Sequence, residues 1–358
     1  MKRELKNQKV QPIRKGKRQK RDNDVTEFED LPNEIILKIF HHLGIKDRFR
    51  YMAVNKRIRS ICIDKKLWEK VHLSDTIPAQ LLKLIMDRGC QSISLCQCEI
   101  VTDDVTFERN FNLKNLALQD SYETPCEKFN LLPKMAASCF NLEKLCVDRF
   151  DQFWLMRIPG KIMRCIIQNG ATLRVLYLPW STLDLDCAKW IFTQCTELVE
   201  LNVRYGTWSQ EAIDFMCENL TNKIEKLDLT GQSKFGDRQL ETLLTRCNKL
   251  TEFGFDQTSV KDHRKIVEVL SGTLIKIMPT KMNLPALLDL AQMPNLEVFC
   301  TVYGFIMKMV EKSCPHLIVD SEHLQFASSY PCCKGLWPVK RERQNLDGSE
   351  AVLPYGNV

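Results

Sequence analysis

The sequence predicts an α/β solenoid, with parallel strands on a concave side and helices on a convex side, preceded by a short all-helical segment. Three observations carry that prediction. A short pattern, apolar-x-x-apolar-x-apolar, recurs down most of the chain. Stripes of apolar residues at helical period lie between its copies. Residues 28–68 break from this rhythm and read as helices alone.

The clear copies of the pattern are Leu113-Leu116-Leu118, Leu142-Leu145-Val147, Leu173-Leu176-Leu178, Leu198-Leu201-Val203, Ile224-Leu227-Leu229 and Leu250-Phe253-Phe255. Weaker copies begin at Ile93, Leu274, Leu296 and Leu317, and Trp68-Val71-Leu73 is a candidate opening copy. The central copies start at residues 142, 173, 198, 224, 250 and 274. Those steps match the leucine-rich repeat, whose period is roughly 20–29 residues, with one step slightly longer. Between copies, apolar positions at i, i+3, i+4 and i+7 share a helical face. Such runs are Leu132/Met135/Ala136/Cys139, Met163/Ile166/Ile167/Gly170, Ile213/Met216/Cys217/Leu220 and Leu240/Leu243/Leu244/Cys247. One unit cannot bury such faces alone, so the units stack. Lys144, Tyr177, Asn202, Lys226, Asp228 and Glu252, between the apolar strand positions, are then expected to point into the concavity. Their mixed charge suits a protein partner better than a phosphate backbone.

Composition narrows the function classes. The chain is 44% apolar and 27% charged, the balance of a soluble globular protein. No stretch approaches the roughly 18 uninterrupted apolar residues a membrane helix needs. The positive N-terminus lacks a following apolar run, which excludes a secretory signal and points to a chain that stays inside the cell. The formal charge of +6 is concentrated at one end: Met1–Arg21 holds ten Lys/Arg and one acid, leaving 41 basic against 44 acidic residues. The folded body is therefore slightly acidic, which argues against a nucleic-acid-binding fold. None of the sixteen cysteines forms a CxxC pair, the nearest approaches being Cys96/Cys98 and Cys332/Cys333. Neither a metal site nor a cofactor is expected. Instead Cys90, Cys139, Cys195, Cys247 and Cys314 each stand three residues before a strand's first apolar position. A small, weakly polar side chain fills that turn well.

Residues 28–68 need separate treatment. Asp30-Leu31-Pro32-Asn33-Glu34 starts a helix, with Asp30 as N-cap and Pro32 in the first turn. Ile36, Ile39, Phe40 and Leu43 make an apolar stripe, and Gly44 closes the helix. Two short helical patterns follow, the second through Ile58, Ile61 and Cys62, and the segment ends at Leu67-Trp68. Leu31, Pro32 and part of the stripe exceed what so small a bundle buries, which implies a partner groove rather than a simple cap on the repeats. The segment resembles an F-box in Leu31-Pro32-x-Glu34, the apolar stripe, Val54-x-Lys56-Arg57 and the terminal Leu67-Trp68. It departs from that family at Asn55, often Cys, and at Ile58, often Trp. The resemblance implies that Leu31, Pro32, Glu34, Ile36, Ile39, Phe40, Leu43, Leu67 and Trp68 bind a Skp-family adaptor. Through that adaptor come a cullin and a RING protein. The chain would then be the substrate-recognition subunit of an SCF-type ubiquitin ligase, its repeats holding a protein for ubiquitination and proteasomal degradation.

The end of the array is similar to the S-phase kinase-associated protein 2 group of the F-box/leucine-rich-repeat family. The likeness rests on Leu284-Pro285-x-x-Leu288-x-Leu290, Met293-Pro294-Asn295-Leu296-Glu297-Val298-Phe299, and Cys314-Pro315-His316-Leu317-Ile318-Val319 running into His323-Leu324. Trp337 falls in a C-terminal tail, which in that group folds back along the concave face. The resemblance implies phosphorylated cell-cycle inhibitors as substrates, captured with a small cyclin-kinase-regulatory accessory protein. Tyr205, Lys234, Gln257 and His323 fall where the group uses concave-face contacts, Gln257 replacing an acidic residue. With Tyr177, Lys226 and Asp228 they form the candidate substrate surface.

The expected domains are a disordered basic tail over 1–25, the F-box over 26–70, repeats over 71–326 and a C-terminal tail over 327–358. Arg14, Lys15, Lys17, Arg18, Lys20 and Arg21 read as a nuclear-import signal, a nucleic-acid arm or simply a solvated tail. The nucleus is the expected location, with the cytoplasm second. No Gly-rich phosphate loop, HExxH or GxSxG occurs, so the expected role is non-catalytic tethering that raises local concentration. Two further readings stand beside the ligase subunit. One is a non-degradative repeat scaffold or inhibitor of a nuclear protein. The other is a small-molecule receptor, against which the alternation of Lys226 with Asp228 and Glu252 argues.

Overall fold

The computed structural model describes residues 28–101, 105, 107, 112–124, 131–148, 158–256, 260–280, 284–300 and 304–320. The basic cluster at 14–21, Gln257, His323, Trp337 and the segment 327–358 lie outside them. The chain divides into two compact units, Met1–Ile63 and Asp64–Val358.

The first unit is helical. A 3-10 turn at Phe28–Asp30 leads into α1 (Asn33–His41), α2 (Ile45–Tyr51) and α3 (Lys56–Cys62). Two sequence expectations are corrected here. Pro32, not Asp30, is the N-cap of α1: Asp30 is spent in the 3-10 turn, while the Pro32 carbonyl accepts from the Ile35 and Ile36 amides. Gly44 does not close α1 in a left-handed turn; extended at φ −62°, it is the N-cap of α2. The physical reason is Arg48. Its buried guanidinium donates to the carbonyls of Phe40 (3.1 Å), Leu43 (3.0 Å) and His41 (3.2 Å), satisfying groups that a glycine cap would otherwise serve. Asn55 gains a role as well. Its side chain accepts from the Ile58 amide at 2.8 Å and caps α3, a bond a cysteine there would make only weakly.

The second unit is a parallel-strand α/β solenoid. Its main sheet runs β1 (Lys70–Pro78), β2 (Ser92–Val101), β3 (Asn115–Gln119), β5 (Lys144–Asp148), β6 (Val175–Tyr177), β8 (Glu200–Asn202), β10 (Lys226–Asp228), β11 (Glu252–Asp256), β12 (Lys276–Thr280), β13 (Val298–Cys300) and β14 (Ile318–Asp320). The short β4 (Tyr122–Thr124) pairs with the end of β2, and β7 (Thr182–Leu183) pairs with β9 (Thr207–Trp208). Strand order follows chain order, so each strand lies beside its predecessor. The crossovers carry α4 (Ala79–Asp87), α5 (Leu131–Ala137), α6 (Gly160–Gln168), α7 (Leu185–Gln194), α8 (Gln210–Asn219), α9 (Asp237–Arg246), α10 (Arg264–Leu270), α11 (Leu284–Ala291) and α12 (Gly304–Ser313).

Register explains why the apolar motif repeats. Its middle position aligns across the sheet as Val71, Ile93, Leu116, Leu145, Leu176, Leu201, Leu227, Phe253, Ile277 and Phe299. All ten are buried, forming one continuous core row under the helices. Ile93 is therefore a middle position, not the first; Cys90 occupies the first in that repeat. The other four cysteines keep their expected place, and all five are at most 3% exposed. In α6 the buried face is Ile162, Met163, Cys165 and Ile166, with Ile167 only half-buried, so the stripe is turned from the expected one.

Polar side chains close the turns after the strands. Ser121 accepts from the Cys98 amide and donates to the Gln119 carbonyl; Ser181 donates to Leu178 O (2.7 Å) and Gln232 to Val203 O (2.6 Å). Buried Asn169 accepts from the Leu142 amide and donates to the Cys139 and Cys165 carbonyls. Each bond satisfies backbone that the short strands leave unpaired. Another feature recurs in these turns. Asp75, Gln97, Asp120, Trp180, Tyr205 and Gly231 all have positive φ (75°, 55°, 44°, 61°, 56° and 82°), each at the same place after the middle apolar position of its repeat.

Candidate protein-binding surfaces

The helical unit offers an apolar surface. Of the nine residues expected to contact an adaptor, Ile36, Phe40, Leu67 and Trp68 are at most 1% exposed and line the interior. That corrects their direct-contact role: a side chain with no accessible surface holds the scaffold. Leu31 and Leu43 are half-buried, and Pro32, Glu34 and Ile39 are exposed. Ile35 (39%) and Ile39 (38%) stand four residues apart on one face of α1. Phe28, Tyr51, Val54 and Ile63 are exposed too; Val54 entered only the F-box resemblance, and sequence reasoning missed Phe28, Ile35, Tyr51 and Ile63. The signal was present, since Ile35 breaks the i, i+3, i+4 spacing of the buried stripe. Arg57 braces the region by donating to Asn33 Oδ1 (2.9 Å) and Leu31 O (2.6 Å), which ties α3 to the start of α1. Phe40 packs between Phe28 and Tyr51, at ring separations of 6.3 and 5.3 Å.

The strand face turned away from the core row, here called the open face, divides in two. On β2, β3 and β5 the residues Ser94, Ala117, Gln119, Cys146 and Asp148 are at most 2% exposed. From β6 onward Val175, Tyr177, Glu200, Asn202, Lys226, Glu252, Lys276 and Met278 are half-exposed. The more accessible part of the open face is this second half, although Asp228 and Asp256 within it are buried. The structure brings Tyr177, Lys226 and Asp228 onto it and sets Tyr205 at its edge. Lys234 stands off the strands, in the loop before α9, where its carbonyl accepts from Gln210.

The charges on this face are committed to one another. Lys226 lies between Glu252 (2.8 Å) and Glu200 (3.7 Å). Burial works against its charge, and the two carboxylates outweigh that, so its pKa is raised. The Tyr177 hydroxyl donates to Glu200 at 2.8 Å, and the Lys144 ammonium sits 5.5 Å from the Tyr177 ring centre. Burial, then the Glu200 charge, push the Tyr177 phenol up. Asn202 donates to one oxygen of Asp228 (3.1 Å), and the Thr230 amide donates to the other (3.0 Å). Sequence reasoning found these residues but could not show that they pair across strands.

Among the described residues no group of three or more His, Cys, Asp or Glu side chains could hold a metal ion. No helix among them is long and apolar enough to cross a membrane. Residues 28–74 match the F-box-like family. Among solved structures, a chain of the yeast Rad7–Elc1 complex is similar at 13% identity and a TM-score of 0.44, over 73% of this chain and 77% of that one.

Proposed function

We propose that this chain is the substrate-recognition subunit of an SCF-type ubiquitin ligase, its F-box-like unit docking a Skp-family adaptor and its repeats holding a protein. The observation that carries the reading is the exposed apolar pair Ile35 and Ile39, beside Leu31 and Pro32, on the segment matching the F-box-like family. Apolar surface of that kind on so small a unit calls for a partner. Cullin and RING proteins join through the adaptor, and the chain contributes proximity rather than a reacting group.

The finer parts of the proposal rest on the resemblance to the S-phase kinase-associated protein 2 group. They are a phosphorylated cell-cycle substrate, a cyclin-kinase-regulatory accessory protein and a nuclear location addressed by residues 14–21. The proposed functional boundaries remain 26–70 for the F-box and 71–326 for the repeats. Supporting the group is the order α11, β13, α12, β14 over the quoted motifs. Lys226, held by two glutamates, does not favour a phosphate on the open face itself. A phosphate would on this reading be read by the accessory protein.

The test is adaptor pull-down by the full chain against Leu31→Ala/Pro32→Ala, with circular dichroism on both. Binding lost in a folded double mutant supports the proposal. A folded wild-type chain that captures no adaptor overturns it and leaves the non-degradative scaffold.

A further inference from the structure

The ends of three successive helices meet in a polar cleft that the docking proposal does not use. It lies where α7, α8 and α9 turn toward β8, β10 and β11, and it encloses about 590 Å³. Among the residues lining it, Phe192 alone is apolar, and that ring is buried. The rest are Arg246, Lys249, Asn219, Asn222, Asn248 and three threonines, without a carboxylate.

Local structure explains why polar groups collect there. α8 and α9 stop at Asn219 and Arg246, and the carbonyls of a last helical turn need donors from elsewhere. Asn219 Nδ2 donates to Phe215 O at 2.9 Å, and Arg246 reaches across to the preceding repeat, its Nε donating to Leu220 O at 3.2 Å. The Arg246 guanidinium is thus anchored through one nitrogen, with its two terminal nitrogens unengaged. Among the described residues Lys249 makes no ion pair or hydrogen bond, and the carboxamides of Asn222 and Asn248 have no partner. The adjacent pair of Lys223 and Glu197, at 2.5 Å, balances its own charge. Helix ends of this kind carry about half a negative charge each, which opposes an anion. Three such ends are outweighed by the two full charges of Arg246 and Lys249, and the Phe215 and Leu220 carbonyls are already engaged.

We propose that this cleft receives an acidic segment of a partner protein. One carboxylate sits on the Arg246 guanidinium, a second on Lys249, and flanking peptide groups meet the Asn222 and Asn248 carboxamides. A guanidinium with both terminal nitrogens free presents a fork that matches a carboxylate. A carboxamide offers both a donor and an acceptor, which a peptide group pairs and a bare anion cannot. Nucleic acid is disfavoured, because outside Met1–Arg21 the chain holds 41 basic against 44 acidic residues and no broad basic face results. The cleft stands at the helix ends and not on the open strand face, so the proposal goes beyond the ligase reading and does not rest on it.

The experiment uses the full chain isotopically labelled at asparagine nitrogen, the Asn222 and Asn248 side-chain resonances being assigned with Asn222→Ser and Asn248→Ser. The probes are the peptide acetyl-Gly-Glu-Glu-Gly-Glu-Glu-Gly-amide, its neutral twin with glutamine for glutamate, and inorganic phosphate. The expected result is a saturable shift of both resonances by the acidic peptide, with the neutral twin about tenfold weaker or more. Lys249→Gln, at an exposed position that the fold does not need, should weaken the acidic peptide about three- to fivefold. Asn7, within the basic N-terminal cluster, reports separately on binding there. No saturable shift of Asn222 and Asn248, a shift of Asn7 alone, or equal binding of the two peptides overturns the proposal. So does a Lys249→Gln chain that binds as well as wild type. Inorganic phosphate binding as tightly as the acidic peptide also overturns it, since the cleft would then be a simple anion site. The titration involves no adaptor. Its failure leaves the docking proposal standing, and failure of the adaptor pull-down leaves this site standing.

Discussion

The helical unit and the repeat unit differ in what they hide. The described part of the first, residues 28–63, buries Ile36, Phe40, Ile58, Ile61 and Cys62 around one guanidinium, and leaves six large apolar side chains exposed. The second buries an unbroken row of apolar residues from Val71 to Phe299 and, among its described residues, exposes only eight large apolar side chains over a far longer stretch. The repeat array completes its own core because every unit has a neighbour to cover it. The helical unit has too few residues to do so and uses a polar clamp, Arg48, where a larger domain would use volume. An incomplete core next to a complete one is what a docking module beside a recognition module should look like.

That contrast can be broken or sharpened experimentally. The largest effect is expected from Phe253→Ala, which empties a fully buried site stacked on Phe255 at 5.1 Å and edge-on to Phe235 at 6.5 Å. Urea unfolding of the repeat unit should register a loss of about 3–5 kcal/mol. A loss under about 1 kcal/mol would mean the row is not a continuous core. Next, Arg48→Met takes the guanidinium from the His41 and Leu43 carbonyls and from Phe40 O, which keeps only the Leu43 amide, a cost of about 2–3 kcal/mol. Hydrogen exchange should show α1 and α2 losing protection while β10 and β11 keep theirs, and equal loss in both units would erase the distinction.

A third effect is carried by thiols of the repeats. Burial pushes the thiols of Cys90 and Cys195 up to about 12 and that of Cys247 up to about 11. An unfolded thiol loses its proton near pH ~8.5. Above that pH the unfolded state binds fewer protons than the folded one, so stability is whole below it and falls as pH rises toward the folded values. Thermal midpoints should drop between pH 8 and pH 10, and less so in a Cys195→Ala/Cys247→Ala variant. A flat profile would place these thiols in contact with solvent. The smallest effect on stability is expected from Ile35→Ser, within about 0.5 kcal/mol of wild type, because that side chain is already wet. Adaptor binding should nevertheless weaken by about tenfold or more.

Most of the architecture was legible because register follows the apolar period: a motif that repeats its middle leucine must stack it in one row. The strand positions, the helices between them and four of the five turn cysteines fell where the sequence put them. What could not be read depended on geometry without apolar period. The role of Gly44 turned on a guanidinium four residues away, and the α1 cap on a 3-10 turn that consumed Asp30. The positive-φ turn is filled by Asp twice and by Gln, Trp, Tyr and Gly, a set with no shared chemistry, so the position left no trace in composition. The candidate site was legible as residues but not as partners: Lys226 and Glu252 are 26 positions apart and meet only in the sheet.

The alternation along the open face also acts as a parity check on the array. Register sets Glu200, Lys226, Glu252 and Lys276 side by side on successive strands. Excising one repeat, residues 226–251, would keep the apolar row in frame yet place Glu200 directly against Glu252, a like-charge pair that destabilises a sheet. Excising two, residues 226–275, would bring Glu200 against Lys276 and restore the pairing. Within these four strands, loss of one repeat is therefore expected to be resisted more than loss of two.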